Sequence, residues 1–251
     1  MALNGTSDTV HNQNSPPWKI MFSFAMWMIW KDRNHFVFRG QSQNPRLAKL
    51  IADHALEFFF CAGPSKGPRI RVTSLVKWGR LKIGWVKLNT DGSSLGNPRA
   101  AGGGGVIRDW SGNWIVGFSR KIGIAMSLLA KLWAIQDGLM LCFDRSLAMV
   151  EVELDAKVVV DMLTNPQYSN IVIASLIKDC RYLISQIPQV RIKHCYRESN
   201  RCADKLARKG ASQTLNLILY ENPPVDLSEL VEADLSGVSL ARQCPGNFVI
   251  P

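Results

Sequence analysis

Three aspartates stand at the ends of predicted secondary-structure elements. Asp91 ends an alternating stretch and is followed directly by Gly92. Asp155 follows the apolar string VEVEL, and Asp204 lies in the first turns of a predicted helix. Carboxylates are the ligands that hard divalent cations prefer, and a pair of such cations can activate water and stabilise a leaving oxygen. Because single aspartates at such places more often cap helices or form turns, both interpretations stay open on spacing alone.

The region that must position these aspartates alternates between strand-like and helix-like patterns. Strand-like stretches are predicted at 85–91, 105–108, 114–122, 149–154 and 190–196. Helical spacing predicts helices at 127–143, 158–163, 173–187 and 200–211. This order of elements is typical of an α/β domain in which helices flank a mixed five-stranded sheet.

Several strings within residues 85–212 occur in the order found in one family. They are TDGSSLGNP, a glycine run leading into VIRD, VELDAKVVVDML and YRESNRCADKLA. Together they resemble the ribonuclease H family, in particular the plant ribonuclease H-like domains of non-LTR retroelements and of host proteins derived from them. The upstream string IWKDRNHFVFRG resembles the segment that joins retroelement sequence to such a domain. The resemblance implies a ribonuclease H-like fold and a Mg²⁺-dependent endonuclease that cuts the RNA strand of an RNA–DNA hybrid.

The resemblance also implies roles for the acidic residues. By matching motif positions, Asp91 would bridge two Mg²⁺ ions, Asp155 would hold the first ion and Asp204 the second. His194 precedes Asp204 by the spacing at which many relatives carry a mobile histidine that helps water activation or product release. The alternative for His194 is that it simply ends a strand.

A predicted substrate-binding loop follows the first aspartate. Ser94 and Asn97 match positions that reach the RNA backbone and its 2′-hydroxyl groups, which distinguish RNA from DNA. Gly92 and Ser93 belong to the same predicted loop. The alternative role of the loop residues is turn formation.

One position departs from the family pattern. Relatives carry a glutamate on the first long helix, in an AELWA-like string, whereas this chain reads AKLWA with Lys131 at that place. No acid occurs within 110–136, and Asp137 would lie about 120° around the helix and roughly 9 Å along it, too far to substitute. An ammonium group cannot ligate a metal, so Mg²⁺ binding should be weakened. Lys131 is instead predicted to pair with Asp91 or Asp155, or to contact a substrate phosphate.

The segments outside this domain differ in composition. Residues 1–17 predict a disordered tail, 18–60 a helical extension of two helices, and 213–251 an acidic, disordered C-terminal tail. Residues 61–84 predict a basic linker. No acid occurs from Phe58 to Thr90, and the cations there suit either a phosphate backbone or a solvated linker; they are Lys66, Arg69, Arg71, Lys77, Arg80, Lys82 and Lys87.

The bulk composition narrows the class of protein. The chain has 251 residues and a formal charge of +10, which favours an anionic partner such as nucleic acid. Its six cysteines form no CxxC pair and no apolar signal segment is visible, so we expect an intracellular protein of the nucleus or cytoplasm. The apolar stretch 20–30 is shorter than the roughly 20 residues of a membrane span.

Two hypotheses follow. In the first, the protein binds RNA–DNA hybrid or RNA through a ribonuclease H-like domain whose ribonuclease activity is impaired by Lys131. In the alternative, it is a catalytically inactive, retroelement-derived module that binds nucleic acid or a protein partner. The absence of a Tyr-x-Asp-Asp string argues against polymerisation in either case.

Overall fold

The computed structural model describes residues 16–40, 42, 44–62, 71–96, 99–167 and 173–245. Within these ranges the chain forms two compact units. The first contains two helices and the second contains every described strand. Residues 1–15 of the predicted tail lie outside the described ranges, as do three predicted contact residues, Lys66, Arg69 and Asn97.

The first unit is a pair of helices, α1 (Trp18–Arg39) and α2 (Leu47–Ala62), as the sequence predicts. α1 ends at Gly40, whose φ of 60° gives the left-handed C-cap that glycine adopts readily. Phe24 of α1 packs against His54 and Phe58 of α2. Among the described residues, no helix is both long and apolar enough to cross a membrane.

The second unit is built on a mixed six-stranded sheet. Its strands are β2 (Val86–Ser94), β3 (Arg99–Arg108), β4 (Trp114–Ala125), β5 (Met149–Leu154), β6 (Gln189–His194) and β7 (Leu217–Tyr220). They lie in the order β6-β5-β2-β3-β4-β7. Strands β2, β5 and β6 run parallel, and the remaining pairs are antiparallel. The predicted mixed sheet is confirmed, with β7 as an additional edge strand.

Helices cover both faces of this sheet. They are α3 (Ser127–Asp144), α4 (Lys157–Thr164), α5 (Ala174–Gln186), α6 (Arg201–Ser212) and α7 (Ser228–Leu235). α3 packs on one face of β2 and β3, and α6 packs on the other face. The helices approach so closely that a Cβ atom on Gly92 would lie 2.1 Å from the backbone nitrogen of Lys131. A Cβ atom on Gly104 would lie 2.3 Å from the backbone nitrogen of Ala207. Glycine is therefore required where the helices that carry Lys131 and Asp204 meet the sheet.

The segments predicted as a linker and a disordered tail contain ordered structure instead. β1 (Arg71–Val76) pairs antiparallel with β8 (Leu240–Pro245) in a separate two-stranded sheet. Beyond residue 212 the chain also forms β7 and α7. This segment carries apolar residues besides its acidic ones. Leu227 and Val231 are buried in a cluster with Val106 and Leu206.

One predicted surface cation proves to be buried. Lys87 is 2% exposed, and its ammonium group lies 2.6 Å from Glu153 and 3.9 Å from Glu151 on the neighbouring strand β5. It cannot contact a phosphate backbone. Lys77, Arg80 and Lys82 of the same stretch are exposed.

Candidate active site

The three aspartates are carried by three different elements. Asp91 lies inside β2 opposite Gly104. Strand β3, which contains the glycine run, pairs with β2 as far as Ser94, so that β2 extends beyond Asp91. Asp91 therefore does not end its strand as predicted. Asp155 follows β5 directly, and since β5 runs parallel to β2 the two carboxylates lie at the same end of the sheet. Asp204 lies in the first turn of α6, as predicted.

Lys131 bridges two of these carboxylates. Its ammonium group, on the second turn of α3, donates hydrogen bonds to Asp91 Oδ1 and to Asp155 Oδ1, the latter at 2.6 Å. All three side chains are largely withdrawn from solvent, with exposed fractions of 14% for Lys131, 2% for Asp91 and 6% for Asp155. The positive charge thus sits between the carboxylates rather than beside them.

Burial and charge act against each other in this cluster. Burial raises the pKa of Asp91 to about 6, although the neighbouring Lys131 acts to lower it. Burial also acts to raise the pKa of Asp155, but attraction and hydrogen bonds from Lys131 and Arg197 outweigh it and lower that pKa. For Lys131, burial favours the neutral amine, yet the two carboxylates prevail and raise its pKa. Lys131 is therefore charged at neutral pH.

Two arginines pair with the same set of aspartates. Arg197 Nε lies 3.1 Å from Asp155 Oδ2, and Arg208 Nη2 lies 2.9 Å from Asp204 Oδ2. Arg208 could have been found in the sequence, because it stands four residues after Asp204 on the same helix face. Arg197 could not, because its partner lies at the end of a strand distant in the sequence.

The residues present do not fit a divalent metal ion in this arrangement. A hard cation needs free carboxylate oxygens, whereas the oxygens of Asp91 and Asp155 that face each other hold the Lys131 ammonium group. Within the described part of the chain, no three His, Cys, Asp or Glu side chains are grouped so as to hold a metal. Asp137 offers no replacement, because it pairs with Arg120 at 2.7 Å.

The other predicted site residues take varied positions. Gly92 lies against the backbone at Lys131. Ser93 is half-buried, and Ser94 Oγ lies 2.6 Å from Gly96 O and 3.0 Å from Ala125 O, which fits the turn-forming alternative. Asn97 lies outside the described residues.

His194 lies opposite Leu154, the residue before Asp155, in the pairing of β6 with β5. It is the last residue of β6, is exposed, and has its ring edge-on to Tyr196 with 5.5 Å between the ring centroids. Among the described residues it makes neither a hydrogen bond nor an ion pair with the three aspartates. Its placement fits the strand-end alternative, and its catalytic role stays a prediction.

Comparisons with known proteins match the same region of the chain. Residues 89–210 match the reverse transcriptase-like family. A protein of Arabidopsis thaliana that is provisionally named a ribonuclease H protein is 33% identical over 230 residues, which is 90% of this chain. The chain spans only 37% of that relative's length. The comparisons thus support a ribonuclease H-like domain over the matched region.

Solved ribonuclease H structures also match the chain. The N-terminal ribonuclease H domain of a Mycobacterium tuberculosis protein is 25% identical with a TM-score of 0.49, covering 51% of this chain and 93% of that one. Ribonuclease H1 of Halobacterium salinarum is 27% identical with a TM-score of 0.48, covering 50% of this chain and 96% of that one.

Proposed function

We propose that this protein binds nucleic acid of the RNA–DNA hybrid or RNA class through its ribonuclease H-like domain, and that its cleavage activity is impaired. The observation that carries the proposal is the Lys131 ammonium group between Asp91 and Asp155. It occupies the place at which a ribonuclease of this family would use a carboxylate to hold Mg²⁺. The three aspartates thus keep the motif positions of the family, whereas Lys131 replaces the carboxylate expected beside them.

The charge of the protein supports a nucleic-acid partner. The formal charge is +10, and exposed cations follow one another at Lys77, Arg80 and Lys82. Binding of such cations to phosphates releases condensed counterions, so the affinity of this kind of contact depends strongly on salt.

The site chemistry supports impairment. At close range the Lys131 charge repels a divalent cation that approaches Asp91 and Asp155, and displacing it would leave a buried ammonium group without its partners. The domain family and the plant relative further support our proposal that the chain derives from a retroelement.

We expect purified protein to shift an RNA–DNA hybrid in a gel assay, with affinity that falls steeply as salt rises. Neutralising Lys66, Arg69 and Arg71 together should reduce the slope of log affinity against log salt by about 2 to 3, roughly 0.9 for each phosphate that these cations no longer neutralise. A control triple variant should keep the slope; it neutralises Lys49, Arg145 and Lys178. Absence of a shift at low salt would overturn the proposed function.

A further inference from the structure

The carboxylate cluster is covered by cations of the chain itself. Asp91 and Asp155 are withdrawn from solvent, with exposed fractions of 2% and 6%, and Asp204 is half-buried at 29%. The paired arginines are far more exposed, at 71% for Arg197 and 63% for Arg208. A ligand that approaches from solvent therefore meets guanidinium groups first and carboxylates second.

The charges of this site balance without an added ion. Three carboxylates face three cations, which are Lys131, Arg197 and Arg208. A cluster of bare carboxylates would repel a phosphate unless divalent cations came between them. Here the repulsion is offset by side chains, so a phosphodiester group can approach without a metal ion.

The arginines retain hydrogen-bond donors for such a group. Arg197 uses Nε for Asp155, and its two terminal nitrogens make no hydrogen bond among the described residues. Arg208 pairs with Asp204 through Nη2 at 2.9 Å. Since a guanidinium group has five N–H donors in a planar fork that fits phosphate oxygens, each arginine can hold its aspartate and a phosphate together.

The backbone that carries Arg197 is held from both sides. Arg242 of β8 donates to both oxygens of the adjacent Glu198, at 3.0 and 2.8 Å, and stacks 4.5 Å from the Tyr196 ring centroid. Asn200 donates to Thr90 O on β2 at 3.0 Å. The exposed side chain thus projects from a fixed segment, which lowers the entropy cost of binding.

We propose that Arg197 and Arg208 bind a backbone phosphodiester group directly and that nucleic-acid binding at this site is independent of divalent metal ions. This inference rests on the proposed function and adds the contact that replaces the metal ions. Lys131 is the positioning residue, because it neutralises the buried carboxylates beneath the arginines.

The test measures binding of the full chain to a fluorescently labelled RNA–DNA hybrid by anisotropy, in EDTA and in Mg²⁺ at matched ionic strength. The natural protein should bind equally well in both buffers. The double variant R197Q/R208Q should bind about tenfold more weakly or worse, with a salt slope lower by about 0.9, because one phosphate is no longer neutralised. R145Q is the matched control, since Arg145 also pairs with a carboxylate, that of Glu221, but lies at the end of α3 away from Lys131. It should change neither quantity.

The variant R197K/R208K tests charge separately from geometry. It should keep the salt slope but bind more weakly than the natural protein, because an ammonium group cannot form the bidentate contact. Binding of the natural protein that disappears in EDTA would overturn the inference, as would full affinity and an unchanged slope in R197Q/R208Q. In both cases the natural protein would still bind the hybrid in Mg²⁺. Failure of the natural protein to bind in either buffer would overturn the proposed function itself. Melting curves check that the variants fold, and the EDTA comparison needs no variant.

Discussion

Replacing Lys131 by glutamate is expected to create Mg²⁺-dependent cleavage of the RNA strand of an RNA–DNA hybrid, at a rate roughly a hundredfold or more above that of the natural protein. The substitution removes the ammonium group that bridges Asp91 and Asp155 and places a fourth acidic side chain beside them. Four carboxylates attract divalent cations, which supply an activated water and stabilise the leaving oxygen when bound. The measurement is the release of labelled RNA fragments under single-turnover conditions.

Matched variants separate the loss of the ammonium group from the gain of a carboxylate. Lys131→Gln removes the positive charge without adding a carboxylate and should remain close to inactive. Combining Lys131→Glu with Asp155→Asn or Asp204→Asn should abolish the gain. If the natural protein cleaves as fast as the glutamate variant, the impaired-site account is wrong. If the glutamate variant binds hybrid and does not cleave it, Lys131 is not what limits activity.

Replacing Asp234 by alanine is expected to lower the free energy of unfolding by about 3 to 5 kcal/mol. Asp234 is 4% exposed and accepts a hydrogen bond from Arg108 Nη1 at 2.9 Å. Arg108 is itself 1% exposed and stacks 4.2 Å from the centroid of the Trp78 ring. Removing the carboxylate would leave a buried guanidinium charge without its partner, and this accounts for the size of the expected loss.

Denaturant unfolding measures this loss against a control from the same segment. Asp226 also pairs with cations, Lys205 and Lys209, but it is 45% exposed. Asp226→Ala should therefore cost about 1 kcal/mol or less. Equal stabilities of the two variants would show that the C-terminal segment does not contribute to the fold through the buried ion pair.

The sequence predicts those parts of the fold that are encoded locally. Strands and helices from β2 to α6 follow alternating or helical patterns, and the structure confirms most of them close to their predicted bounds. The exception is β3, which begins at Arg99 and not at Gly105 as predicted. The pairing of Arg71–Val76 with Leu240–Pro245 joins segments from the two ends of the domain and leaves no local signal. Charged residues such as Lys87 and Asp234 are expected to be exposed. Both are buried, because each pairs with a charged residue of an element that is distant in the sequence.

The sequence likewise predicts some features of the site and not others. Motif order predicts the three aspartates and the lysine, and the expected pairing of Lys131 with one carboxylate proves to involve two. The position of Arg197 over Asp155 depends on the tertiary placement of the loop after β6 against the end of β5. Motif spacing does not encode that placement.

We propose that Lys131 takes the place of metal ions between Asp91 and Asp155. The most direct test is anomalous diffraction at the manganese edge from crystals soaked in Mn²⁺, with Lys131→Glu crystals treated identically. We expect no manganese peak at the aspartates of the natural protein, with the Lys131 ammonium group bound to both carboxylates, and a clear peak in the glutamate variant. A manganese ion coordinated by Asp91 and Asp155 in the natural protein, with Lys131 turned away, would contradict it.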